Sequence, residues 1–506
     1  MSPTLTVERL RAGGEALMQE LSREYYQAHA GLKAEAQLQP IYARHAAVLG
    51  RDALELTLDL FRTAAEGSEE RRQARLLLEW QVETQASRAL AALDEREIAW
   101  EAAAVVRVDD GRLVPYQRAA IEIANATDRA ARLALDRARA GLVERELAPL
   151  RREKLQRERD FVERLELGDG YVGAFQALSG IDLAALVDEC RAFLRDTQAM
   201  WDDVLPGFVK ASLGVPVREV TRADALALLR AREFDGFFPA ATLEESVRRQ
   251  VREMGMDPTA DGRVIYDTAE REGKRSRAFC APVRVPDEVY LVLRPHGGQS
   301  DYTTLLHELG HALHFALARG DYPFEYRWVG DNSVTEAYAM LFDHRMQSAP
   351  WLKRYTALAG PHVERYLRVA GFEELHFLRR YCAKLIYESQ LYEGTVAWDA
   401  LPDLYVETLS GATTFRYQRA DAFVDVDQRF YAARYLRAWQ LQAVLDETLT
   451  ERFDEDWWRN PRTGPWMTEQ LFGEGQRELA GELAERVAGK GLSFAPNVRA
   501  VERLLA

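Results

Sequence analysis

The stretch TLLHELGHALHFALA, residues 304–318, constrains this chain more than any other segment, because it must be a helix and it carries three histidines on one face. Leu305, Leu306, Leu309, Leu313 and Phe315 recur at helical spacing, and Ser300 and Asp301 stand where a cap is expected. His307 and His311 fall one turn apart and can converge on one metal ion, while Glu308 is rotated about 100° away and can hold the metal's water instead. With 9 histidines in 506 residues, an H-E-x-x-H arises by chance in about one such chain in a hundred. The alternative is an ordinary helix with satisfied histidines. Gly310 does not favour it, since a glycine costs about 1 kcal/mol inside a helix unless something packs closely against it.

A catalytic zinc takes three protein ligands and keeps a fourth position open. Glu336, in RWVGDNSVTEAYAMLFDHRM, follows His311 by 25 residues (336 − 311), enough chain to end one helix, turn at Gly330–Ser333 and return along a second. Glu336 is therefore the candidate third ligand; a solvated first-turn glutamate is the alternative. Asp343, further along that helix, is a candidate to orient a ligand histidine, with a surface role equally open. Upstream, the alternating run Val289–Arg294, closed by Pro295 and Gly297-Gly298, predicts a strand and a tight bend. An exposed edge there would pair with an extended peptide, with Tyr290 and Val292 as substrate-binding candidates. His296, in the bend, is a candidate for the cleft lining, or a plain turn histidine.

The run GKRSRAFCAPV, then GGQSDYTTLLHELGHALHFA, with VTEAYAMLFD at this spacing, resembles the thimet oligopeptidase and oligoendopeptidase F family of zinc metallopeptidases. The resemblance spans roughly residues 170–475 and is dense only from about 258 to 343. It implies one zinc per chain on His307, His311 and Glu336, with Glu308 as general base. It also implies two helical lobes facing each other across a substrate channel. FYAARYLRAW resembles the family's tyrosine-rich segment, so Tyr431 and Tyr435 are the implied donors to the substrate's oxyanion. Two positions depart from the pattern: Val426 stands where some members have a histidine, and Ala438 where a later tyrosine falls. Fewer donors remain, with His296 and Arg434 as further candidates; core packing is the other reading of the tyrosines.

Two neutral imidazoles and one carboxylate leave zinc positively charged, able to polarise a peptide carbonyl and to acidify a bound water. The expected activity is hydrolysis of internal bonds in short, unfolded oligopeptides of about 5–20 residues, a range set by extended-chain length. A zinc carboxypeptidase resembling the carboxypeptidase Taq family is the alternative, and a non-catalytic zinc-containing peptide-binding protein is a third.

Composition frames the site. A chain of 506 residues with 47% hydrophobic content exceeds one simple core. The expected fold is mainly α, with a small β-sheet beside the zinc helix, a helical region over 1–200 and a catalytic region over 201–506. Net charge is −14 and the pI about 5.4, which argues against nucleic acid as a partner. The absence of an apolar signal core or an 18-residue apolar run predicts no membrane association and a cytoplasmic protein. Cys190, Cys280 and Cys382 form no ligand or redox motif. Oligomeric state is not encoded in any pattern here. Residues 1–166 read as successive helices, and the charge alternation from Asp136 to Glu166 as a long, solvated helix or hairpin.

Overall fold

The structure is a computed structural model that describes residues 5–33, 35–275 and 278–506. Ser276 and Arg277, within the run that carries the family resemblance, lie outside them. The chain is predominantly helical, with strands β1 (Val105–Arg107), β2 (Leu113–Pro115), β3 (Val264–Asp267), β4 (Phe279–Arg284) and β5 (Glu288–Val292). Among the described residues, no single helix is long and apolar enough to cross a membrane.

The backbone divides into two compact units that are discontinuous in sequence rather than split near residue 200. One comprises Met1–Val82, Arg232–Leu367 and Arg437–Ala500; the other comprises Glu83–Ala231, Arg368–Leu436 and Val501–Ala506. The long helices Glu69–Ala103, Pro361–Glu393 and Tyr431–Phe453 each run through a point where the chain leaves one unit for the other. Neither a proline nor a glycine marks those points, so local sequence carries no boundary signal.

In the first unit, Leu10 and Leu17 lie on the buried stripe of helix Val7–His29 and join Ile41, Val48, Leu77, Trp80, Phe324 and Trp328 in one core. The same helix continues onto the sheet, where Tyr26 and Ala30 pack on Ala281, Val283 and Val292. Strand order is β3-β5-β4, with β3 parallel and β4 antiparallel to β5. The predicted strand is thus β5, but it is the middle strand, and both its edges are taken by neighbours. No substrate backbone can pair with it, which corrects the expectation of an exposed edge at Val289–Arg294.

Helix Gln299–Leu317, the histidine helix, packs on β4, β5 and helix Asn332–Asp343, the carboxylate helix. Its start differs from expectation. Gly298 is the N-cap at φ 93, a left-handed conformation that favours glycine. Asp301 accepts the backbone N–H groups of His296 and Gly297, at 2.7 and 2.8 Å, and so fastens the bend instead of capping the helix. The carboxylate helix starts as expected, with Asp331 as N-cap accepting from Ser333 N at 2.8 Å.

Gly310 is where the two helices meet. A Cβ there would lie 2.6 Å from Ala339 Cα and 2.7 Å from the Tyr338 carbonyl oxygen, both backbone atoms that cannot swing aside. Gly310→Ala is therefore expected to push the helices apart and to destabilise the chain by about 3 kcal/mol, the upper part of the overpacking range, in denaturant titration. A change under about 0.5 kcal/mol would show that the helices relax freely.

In the second unit, β1 and β2 form an antiparallel hairpin whose Val106 and Val114 are buried with Ala119, Ile123 and Leu135. The segment expected to be solvated is helix Arg129–Leu142, a π turn Val143–Leu147 and helix Ala148–Glu163, and several of its charges are buried in pairs. Arg139 donates to Asp421 at 2.8 Å, Lys154 to Glu97 at 2.5 Å, and Glu158 accepts from Tyr171 at 3.0 Å. Charge alternation looks the same whether each charge faces water or a partner distant in sequence, which is why the solvated reading fails.

Candidate metal centre

Helix geometry places His307 and His311 one turn apart, and packing at Gly310 brings the carboxylate helix within reach. Glu336, 7% exposed, is buried rather than solvated. Its Oε2 lies 3.4 Å from His307 Nε2 and 3.8 Å from His311 Nε2. One ligand atom from each of the three residues falls within 4.8 Å of the other two. Donors about 2.0–2.1 Å from a tetrahedral zinc stand roughly 3.4 Å apart, so the trio fits such an ion with little adjustment.

The far nitrogens are occupied. His307 Nδ1 is 2.9 Å from Asp343 Oδ2, and His311 Nδ1 is 2.9 Å from Thr335 Oγ1. Both rings are thereby turned with Nε2 inward, the orientation that outer acceptors impose on ligand histidines. Asp343 reaches further, its Oδ1 lying 2.6 Å from His344 Nδ1. Thr335 and His344 are additions to the sequence reading. Only the placement of Thr335 next to Glu336, and of His344 next to Asp343, could have pointed to them.

Burial lowers the pKa of His307, but hydrogen bonds to Asp343 and Glu336 outweigh it and lift the group to about 10. Burial dominates at His311 and pulls it down to about 4 against the Glu336 charge. Asp343 is held below its usual range because His344 and His307 outweigh its own burial. A divalent cation bound at both Nε2 atoms would meet the same two carboxylates, Glu336 directly and Asp343 through the His307 ring.

Glu308 is not part of the trio. Its Oε2 accepts the backbone N–H of Cys280 on β4 at 2.9 Å, so the expected base is anchored through a strand beside the ligands. Burial, with the Glu308 charge adding to it, pushes the Cys280 thiol well up, in keeping with an inert thiol.

The remaining site candidates are more scattered. Val292 is 1% exposed and belongs to the sheet core, so its side chain has no open face for a ligand. Tyr290 stacks on Tyr26 with ring centroids 3.8 Å apart, and its hydroxyl donates to Glu288 at 2.9 Å. His296 is exposed in the bend before the histidine helix. Tyr431 and Tyr435 belong to the second unit. There they are half-buried, their rings 5.1 Å apart, with Tyr435 stacked on Tyr381 at 5.6 Å. Arg434 is buried in the same unit, over the Phe175 ring.

Backbone and site together define a mainly helical fold that carries a His-His-Glu trio suited to a metal ion. That fold is shared with a peptidase: the chain is similar to the structure of Pyrococcus furiosus carboxypeptidase in its apo-Mg form, with a TM-score of 0.66 and 13% identity, covering 100% of this chain and 99% of that one. No family model matches the chain, and no curated protein sequence matches it. The family drawn from the sequence run remains a resemblance.

Proposed function

We propose that the chain is a metal-dependent peptidase, with zinc as the ion. The observation that carries this is the convergence of His307 Nε2, His311 Nε2 and Glu336 Oε2, with Glu308 beside the trio but outside it. A zinc ion held by these residues would supply Lewis acidity and an acidic water. The chain's own part is to hold and move protons. Glu308 would take a proton from the attacking water and return it to the leaving amine. Its anchor on the Cys280 N–H fixes one carboxylate oxygen. Asp343 and Thr335 hold the ligand rings in register.

The likeness to a carboxypeptidase over the full length favours release of C-terminal residues, whereas the sequence run around the histidine helix favours cleavage at internal bonds. Short, unstructured peptides are the substrate class in either case. The deciding experiment is mass spectrometry of products from one peptide series, free or blocked at the C-terminus. Single residues lost only from free termini mark a carboxypeptidase; internal fragments from doubly blocked peptides mark an endopeptidase. No cleavage of any peptide by zinc-loaded protein would leave the peptide-binding reading in its place.

The tyrosines enter as kinetics. Tyr435→Phe is expected to lower kcat by about 10²–10³ with KM little changed, because a hydroxyl that acts only on transition-state charge contributes to kcat alone. Normal kcat in both the Tyr435 and Tyr431 phenylalanine variants would assign oxyanion stabilisation to other donors, with His296 next to test.

A further inference from the structure

The two metal-facing histidines are oriented by unlike groups, a carboxylate at His307 and a neutral hydroxyl at His311. That hydroxyl is shared. Thr335 Oγ1 lies 2.9 Å from His311 Nδ1 and 3.1 Å from Nδ1 of a third histidine, His314. Those two rings are its only hydrogen-bond partners among the described residues. His314 is 1% exposed and ringed by Phe315, Tyr338 and Phe472. Nothing in the peptidase chemistry derived above uses it.

We propose that Thr335, with its hydroxyl hydrogen taken up by His314, is the positioning residue that fixes His311 in the tautomer able to bind the metal. The inference rests on the metal-site reading of the trio. A hydroxyl offers one hydrogen and two lone pairs. If His311 is a ligand through Nε2, its one proton sits on Nδ1 and is donated to Thr335 Oγ1. The hydroxyl hydrogen must then go to the other ring, so His314 Nδ1 accepts it and His314 carries its proton on Nε2. A neutral His314 is what this order requires, and its burial enforces it, pushing the group down to about 3 against a weaker pull from the Gly475 backbone.

The arrangement also couples position to protonation. His314 is three residues after His311 on the histidine helix, and Thr335 immediately precedes Glu336 on the carboxylate helix. The hydroxyl therefore ties the second and third ligands together across the helix pair. A valine at 335 would fill the same space, leave His311 Nδ1 without an acceptor and free the ring to rotate or to change tautomer. A serine would keep the hydroxyl.

The test is zinc affinity, measured by competition with a chromogenic chelator, for the full-length wild-type chain and its Thr335→Val, Thr335→Ala and Thr335→Ser variants. Thr335→Val is expected to bind zinc about 10–100-fold more weakly, as is usual when an acceptor behind a ligand histidine is removed, while Thr335→Ser stays within about threefold of wild type. Thr335→Ala replaces the valine variant if that protein does not fold. Wild-type affinity without the hydroxyl overturns the proposal, and so does a serine variant as weak as the valine one. A wild-type chain that takes up no zinc in the same titration removes the metal-site reading itself.

Discussion

A Glu308→Gln chain is expected to bind zinc as the wild type does and to lose about 10³-fold in turnover, within the range for a positioned proton-transfer group. Two features separate this from a general loss of structure. Glutamine keeps an oxygen that can accept the Cys280 N–H at the 2.9 Å contact, so strand β4 stays tied to the histidine helix. The trio is also untouched, because Glu308 contributes no converging ligand atom. Metal analysis and peptide kinetics on the same preparation read both halves. Loss of zinc would give Glu308 a structural part in the centre, and retained turnover would assign the base to another group.

His311→Ala is expected to produce the opposite pattern, a fall in zinc affinity of about 10³-fold or more with activity lost in step. Alanine leaves two donors, His307 and Glu336, and exposes the Thr335 hydroxyl to the space vacated. Asp343→Asn should have a smaller effect, about 10–100-fold in affinity, since it weakens the hold on His307 Nδ1 without removing a donor. Full zinc occupancy in the His311 variant would place the metal elsewhere.

The parts of this centre that were legible in the sequence are those set by short-range geometry. A four-residue spacing between histidines fixes their relative direction on any helix. The Gly330–Ser333 turn fixes where the next helix can begin, and a glycine inside a helix announces the close approach realised at Gly310. What escaped depends on chains meeting across long separations. The Cys280 to Glu308 hydrogen bond joins positions 28 residues apart. β5 is central only because β3 and β4 flank it, and neither short strand, one containing Pro282, shows a full alternating pattern. The β1/β2 hairpin does carry a local signal, since Asp110-Gly111 is a turn dipeptide between the apolar runs Val105–Val108 and Leu113–Val114, and Gly111 has φ 87.

Pairing at a distance also explains the charged helices of the second unit. Arg139 and Asp421 are 282 residues apart, so the sequence around Arg139 shows a basic residue and not its partner. The same separation hides the unit boundaries. Long helices pass unbroken through three of them, and only contacts between remote segments reveal where one compact unit ends there.

Whether His307, His311 and Glu336 together hold one catalytic metal ion is read most directly by anomalous diffraction at the zinc edge from crystals of the zinc-loaded full chain. One strong peak is expected at about 2.0–2.1 Å from Nε2 of both histidines and at about the same distance from a Glu336 carboxylate oxygen. A peak at other residues, or none at this trio after zinc is supplied, would contradict it.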